Sequence, residues 1–487
     1  MTETGAVGAG GPMPPKPISK TQTHVTGLDE ILHGGLPTGR TTLVNGGPGS
    51  GKTVFGLEFI YRAALDGEPG IFISFEEDAD SIRRNGLSLG WDLPALEEAG
   101  MLRILDGQLD PAVIRSGDFD INGLLAILGG QATAMGAQNV VIDAIDGLLR
   151  ISDDRRWERE QLEMLHRWLL ERRLTALLTA KAFNAGDGGQ TYEFMEYMVD
   201  CILKLDQRVD GQVSVRRLRI VKYRGSDFER NEFPFAISES GIVLVPISRP
   251  ALDHAYSPEI LSTGNDAMDE LLGGGLVKSS ITLLTGASGT GKTSLASTIA
   301  IEAHRRGQRV LYVQFEESRP AMVGRMLSAG IDLRPALESG LLRIEALMPE
   351  TLGVEEHLIQ LLHLMREHAA EVLIVDAVSA TVRMHTDEAA YDFLVRLANA
   401  CRPAGVTLLM TNQSGEIPSD AGIVTMISSL IDTVIRLEYR EEEDLVHRTL
   451  LVLKSRGMRH SSRRHRFLIT DHGIEIIDRP GDGAAGN

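Results

Sequence analysis

Cysteine is nearly absent: only Cys201 and Cys401 occur, far apart and outside any metal-ligand spacing. A disulfide framework or zinc site is therefore not expected, and the usage fits a reducing cytosol. Long apolar runs are lacking as well. None approaches the roughly 18–20 residues that span a bilayer, so a cytoplasmic chain without membrane segments is expected. The N-terminus, Met1 to Lys16, is rich in Gly and Pro and has no apolar core, so it reads as a disordered tail and not as a signal peptide. Positive charge is in deficit, with 49 Lys and Arg against 67 Asp and Glu and a formal charge of −18. Such a surface repels phosphate backbones on average, which counts against a dedicated nucleic-acid binder but leaves room for a local basic groove. Aromatic residues are few, and Trp91, Trp157 and Trp168 read as core or interface packing and not as ligand platforms.

What is present is apolar material for more than one core: 43% of 487 residues are hydrophobic, a length that suggests two to four domains. The two halves repeat the same marks in the same order. Leu28-Asp29-Glu30-Ile31-Leu32-His33-Gly34-Gly35-Leu36 is echoed by Met268-Asp269-Glu270-Leu271-Leu272-Gly273-Gly274-Gly275-Leu276. The pairs Asp29 and Asp269, Lys52 and Lys292, and Glu76 and Glu316 are each 240 positions apart. Asp143 and Asp376 are 233 apart, and Lys222 and Lys454 are 232 apart. A nearly constant offset across unrelated motifs indicates tandem homologous domains. The expected limits are a tail over 1–17, a first domain over 18–248, a linker over 249–258, a second domain over 259–478 and a short tail over 479–487. Each half alternates short β-branched strands with helical segments, one of them following Arg155-Arg156-Trp157 with Leu162, Leu165 and Leu169 at helical spacing. That alternation predicts an α/β fold with a mostly parallel sheet flanked by helices.

Two glycine loops carry the chemistry. Gly46-Gly47-Pro48-Gly49-Ser50-Gly51-Lys52-Thr53 and Gly286-Ala287-Ser288-Gly289-Thr290-Gly291-Lys292-Thr293 both match G-x-x-x-x-G-K-[ST], the P-loop pattern of ATP binding. Glycines let successive backbone N–H groups point at phosphate oxygens, and the following helix adds its positive end. Lys52 or Lys292 then contacts the β- and γ-phosphates, while Thr53 or Thr293 ligates Mg²⁺. The apolar strands ending in Asp143 and Asp376 supply the carboxylate for that metal. Ile73-Ser74-Phe75-Glu76-Glu77 and Val313-Gln314-Phe315-Glu316-Glu317 are read as strand ends bearing two adjacent acids. Strand neighbours face opposite ways, so one acid of each pair can face the γ-phosphate and orient the attacking water or hydroxyl.

These motifs, with Val221-Lys222-Tyr223-Arg224-Gly225 and Leu453-Lys454-Ser455-Arg456-Gly457 near the domain ends, resemble the KaiC family of RecA-like tandem P-loop NTPases over about residues 18 to 478. The resemblance extends to Gly90-Trp91-Asp92-Leu93-Pro94 and Phe233-Pro234-Phe235. It implies ATP-loaded hexamers with nucleotide between subunits, where Lys222, Arg224, Lys454 and Arg456 reach the γ-phosphate held by a neighbour. It also implies serine autokinase activity in the second domain. Ser428 and Ser429 stand at the phosphoacceptor positions, one of them a Ser where the family has Thr, and Glu316 would serve as base. The first domain has Glu196 and Tyr197 there instead. Little sequence follows Ile477-Asp478, so a KaiA-type partner is not expected, whereas a KaiB-like partner is compatible with the resemblance.

Two other classes share these loops. A RecA- or RadA-like DNA-dependent ATPase would use the basic run Arg459-His460-Ser461-Ser462-Arg463-Arg464-His465-Arg466 on DNA, although such a run is more often a solvated or interface face. An ATP-held signalling scaffold would need little turnover, against which the acids Glu76, Glu77, Glu316 and Glu317 speak.

Overall fold

The computed structural model describes residues 18–107, 121–149, 155–181, 193–210, 213–238, 241–244, 259–348, 353–382, 387–413, 430–442 and 445–477. The expected linker over 249–258 and both tails lie outside them. The chain divides into two compact units, and the break falls between Leu244 and Glu259. Among the described residues no helix is long and apolar enough to cross a membrane.

Each unit is built on one nine-stranded sheet with the same strand order. In the first, the order runs Gly241–Leu244, Glu232–Ser238, Val213–Tyr223, Cys201–Asp210, Thr41–Gly46, Thr175–Lys181, Asn139–Asp143, Gly70–Ser74 and Leu102–Asp106. The six strands from Cys201–Asp210 to Leu102–Asp106 are parallel. Glu232–Ser238 pairs antiparallel with both of its neighbours, as expected for short-loop connections at a sheet margin. In the second unit the strand Ile281–Gly286 takes the same central place, between Thr407–Gln413 and Thr433–Glu442. The central strands are continuous apolar or small-residue runs buried on both faces, as parallel strands covered by helices must be.

The helices Lys52–Leu65 and Lys292–Arg305 follow the two central strands and lie against their sheets, burying Phe55, Phe59 and Ile60 in one and Leu295, Ile299 and Ala303 in the other. In the first unit this packing is close enough that a Cβ at Gly56 would stand 2.8 Å from Val141 Cγ1. The helix Arg155–Arg172 covers the opposite face, burying Leu162, Leu165 and Leu169 with Val140, Ile142 and Leu178. Trp91 is buried and stacks on Tyr61 at 5.6 Å between ring centres, while Trp168 packs under the Arg172 guanidinium.

The repeated Asp29 and Asp269 have a structural task. Asp29 Oδ1 accepts from Thr23 N at 2.9 Å, and Asp269 Oδ1 accepts from Thr263 N at 2.8 Å. Each carboxylate thus satisfies backbone donors of the segment leading into its unit, which the short helix beside it could not do alone.

Candidate functional site

Both glycine loops leave the carboxyl end of the central strand, the edge of an open α/β sheet where ligands bind. Gly51 and Gly291 hold φ of 94° and 104°, a left-handed backbone that L side chains rarely adopt, and each caps the N-terminus of the helix that follows. A Cβ there would also stand 2.9 Å from Ile237 Cδ1 in the first unit and 2.8 Å from Ile469 Cδ1 in the second. Ser50 Oγ donates to Gly47 O, and Thr290 Oγ1 donates to Ala287 O, both at 2.8 Å, so each loop is braced from within. Lys52 Nζ donates to Gly46 O and Gly47 O at 2.9 Å. Lys292 Nζ does the same to Gly286 O at 2.7 Å and Ala287 O at 2.8 Å. Both ammonium groups are buried, and burial draws them below the usual lysine range, opposed by Asp143, Glu76 and Asp146 in one unit and by Asp376 and Glu316 in the other.

Asp143 and Asp376 end strands that stand one strand away from the loop strand, and both are buried. The intervening strand supplies each with a hydroxyl. Thr179 Oγ1 donates to Asp143 Oδ1 at 2.5 Å, and Thr411 Oγ1 donates to Asp376 Oδ1. The Thr53 hydroxyl also favours the charged form of Asp143. Burial pushes its carboxyl above the usual range, and the hydroxyls of Thr179 and Thr53 pull the other way. A helix-start hydroxyl facing a buried carboxylate is an oxygen donor set suited to a hard cation such as Mg²⁺. Both aspartates precede a cis peptide bond, Asp143-Ala144 and Asp376-Ala377, for which the sequence offers no sign.

The paired acids depart from the expected strand geometry. The strands stop at Ser74 and Gln314, and Glu76, Glu77, Glu316 and Glu317 lie in the bends beyond them. Phe75 N still donates to Asp143 O at 2.6 Å and Phe315 N to Asp376 O at 2.9 Å, so the last ties to the neighbouring strand are made one residue before the acids. Strand alternation therefore does not separate the two acids; their partners do. Glu76 is exposed, pairs with Lys181 and shares a field with Lys52, whereas Glu77 accepts from Asn85 Nδ2 at 2.8 Å. In the second unit Glu317 is taken up by Gln314 and Arg325, and Glu316 acts on Lys292.

Lys222, Arg224, Lys454 and Arg456 lie at the other end of the sheets. In the second unit, register runs from Thr282 to Thr433 to Ser455, so Lys454 and Arg456 flank the start of the loop strand. In the first, Arg224 N donates to Asp200 O at 2.8 Å, and Asp200 N donates to Thr41 O at 2.9 Å. The six-residue strand Thr41–Gly46 separates this end from the loop by about 17 Å at 3.3 Å per residue, further than either side chain reaches. Lys222 Nζ donates to Glu196 O at 2.5 Å, and Arg224 Nη2 donates to Tyr197 O at 2.5 Å. Lys454 Nζ donates to Ile431 O at 2.7 Å, and Arg456 approaches Asp432. A cleft lined by Arg40, His166, Arg173, Asp200 and Arg224 opens at this end of the first unit. Ser428 and Ser429 lie outside the described residues.

Sequence reasoning missed several neighbours of the loops. Thr179 and Thr411, 232 positions apart, share the offset of the later motifs, which is the signal that could have found them. Arg216 and Arg448 keep that offset too, and each directs Nε at the oxygen of a loop glycine, Gly49 or Gly289, at 3.4 Å. Tyr439 OH donates to Gly289 O at 2.6 Å. In the basic run, Arg464 pairs with Glu438 and Arg466 with Glu442, so part of that charge is neutralised within the unit.

Comparison with known proteins agrees with this geometry. The ATPase family described as KaiC matches residues 21–249 and again 261–481. The circadian clock protein KaiC2 of a Synechocystis species is 36% identical over 467 residues, covering 95% of this chain and 82% of the relative. The circadian clock oscillator protein KaiC of Parathermosynechococcus lividus is 34% identical over 464 residues, covering 95% and 86%. Its namesake from Synechococcus elongatus is 33% identical over 466 residues, covering 95% and 89%.

Proposed function

The chain belongs to the KaiC family of ATPases, and on that premise we propose that both units bind and hydrolyse Mg²⁺-ATP in a ring, with each nucleotide held between subunits. The loops Gly46 to Thr53 and Gly286 to Thr293 hold the phosphates, and Lys52 and Lys292 exchange their own loop carbonyls for phosphate oxygens. Thr53 with Asp143, and Thr293 with Asp376, are the oxygen donors for Mg²⁺, which when bound supplies neutralising charge to the phosphates. Glu76 and Glu316 orient the attacking water or hydroxyl, while Glu77 and Glu317 hold their own turns.

The observation that carries the shared site is the separation of Arg224 and Arg456 from the loops of their own units, by the length of the central strand. Basic groups at that end serve a phosphate only if another subunit brings one. Rings of six subunits, as the family resemblance implies, close such head-to-tail contacts. Partner proteins of the KaiB kind are the ones to test against the assembled ring.

The second unit is further proposed to phosphorylate Ser428 and Ser429. Support comes from the first unit, where the equivalent Glu196 and Tyr197 lend their carbonyls to Lys222 and Arg224, at the end that would face a neighbour's nucleotide. Hydroxyls at those positions would stand beside the transferred phosphate. The test is incubation with Mg²⁺ and γ-labelled ATP, following protein label and free phosphate together. Label on the wild type that is lost in Lys292→Ala and in Ser428→Ala/Ser429→Ala supports the autokinase. Free phosphate without protein label leaves a ring ATPase and rejects the kinase.

A further inference from the structure

The two candidate sites differ at the end of the strand beside the loop strand. In the first unit, the strand Thr175–Lys181 runs between the loop strand and the strand of Asp143, and its last residue lies level with Gly46. Lys181 N donates to Asp146 Oδ2 at 2.8 Å, which fixes the backbone there. Its ammonium pairs with Glu76, the acid that shares the field of Lys52. The second unit repeats the strand and its register, but the residue level with Gly286 is Gln413, whose N donates to Ser379 Oγ at 3.2 Å. Both the lysine and the buried acid beneath it are therefore replaced by neutral side chains.

Resting on the nucleotide reading above, we infer that Lys181 reads the γ-phosphate in the first site alone, exchanging Glu76 for the terminal phosphate of a nucleoside triphosphate. A terminal phosphate held at Gly46 lies beside the strand end that bears Lys181 and carries more negative charge than one carboxylate. It draws the ammonium away and leaves Glu76 to the attacking water. A nucleoside diphosphate lacks that group and leaves the Glu76 pair in place. Gln413 can donate a hydrogen bond but carries no charge to exchange, so the second site discriminates less on this account.

The test is equilibrium binding of Mg²⁺-AMP-PNP and Mg²⁺-ADP to the full chain carrying Lys292→Ala, which confines binding to the first site. Loss of the charge-assisted bond in Lys181→Gln should lower the preference for triphosphate over diphosphate about tenfold. Lys181→Arg should keep the preference and serves as the folding control. In a Lys52→Ala background, Gln413→Lys should raise the preference of the second site. An unchanged preference in Lys181→Gln, while binding still depends on Lys52, overturns the inference and leaves the nucleotide reading intact: the Glu76 pair is then an ordinary surface ion pair. Absence of Lys52-dependent binding in the parent chain overturns both.

Discussion

Tyr312 OH donates a 2.8 Å hydrogen bond to Asp376 Oδ2, wholly inside the second unit, whereas Phe72 holds the corresponding place in the first. Asp376 thus receives two hydroxyl donors, from Tyr312 and Thr411, and Asp143 receives one from Thr179. The two carboxylates stand at equivalent strand ends and share the threonine donor, but Asp376 is also held by the Tyr312 phenol. Burial beside Asp376 pushes the Tyr312 phenol well above the ordinary tyrosine range, so it remains a donor at any working pH.

Tyr312→Phe should therefore cost the second unit about 1 kcal/mol, the net worth of one buried hydrogen bond, with Thr411 still holding the carboxylate. Urea unfolding of the full chain, followed by a probe in the second unit, checks this. An unchanged midpoint would mean that the phenol contributes nothing to that unit's stability.

Arg224→Ala should reduce turnover in the first site by roughly 10³-fold or more if the guanidinium acts on a neighbour's nucleotide. Mixing this variant with Lys52→Ala should restore part of the activity, because some interfaces then combine an intact loop with an intact Arg224. No recovery in rings shown to exchange subunits would reject the shared site.

Glu58 gives a signed pH effect. It is fully buried on the helix Lys52–Leu65, accepts from Ile242 N at 2.7 Å, and pairs with Arg62. Burial raises its pKa above 4.5, with the Ile242 and Arg62 contacts pulling against it. A carboxyl raised on folding binds its proton more tightly in the native state, so its contribution is most favourable below the unfolded value and declines as pH rises through the folded one. The stability of the wild type relative to Glu58→Gln should fall as pH climbs above 4.5. A difference that grows with pH over that range would contradict the shift.

The two thiols should be inert in the native chain. Cys201 and Cys401 are buried and unpaired, and burial pushes both up to about 12, so almost no thiolate is present at neutral pH. An aromatic disulfide reagent should titrate them only after denaturant is added. Rapid reaction in native buffer would count against the packing of the strand start at Cys201 or the helix end at Cys401.

By itself the sequence determined the duplicated architecture, both glycine loops and the strands ending in Asp143 and Asp376. These are local patterns: a glycine run imposes its backbone, a β-branched run its strand, and a repeat its offset. It misjudged where the strands before Glu76 and Glu316 end, because their last pairing partners, Asp143 and Asp376, lie on strands far away in the chain. Only the tertiary structure decided which residues surround each loop. Thr179, Lys181, Tyr312 and Arg448 reach their partners through strand order and register, and pairing brings together positions separated by between 36 and 159 residues. Strand order likewise put Arg224 and Arg456 at the end away from their own loops, a separation that linear spacing cannot express because it follows from the direction in which paired strands run.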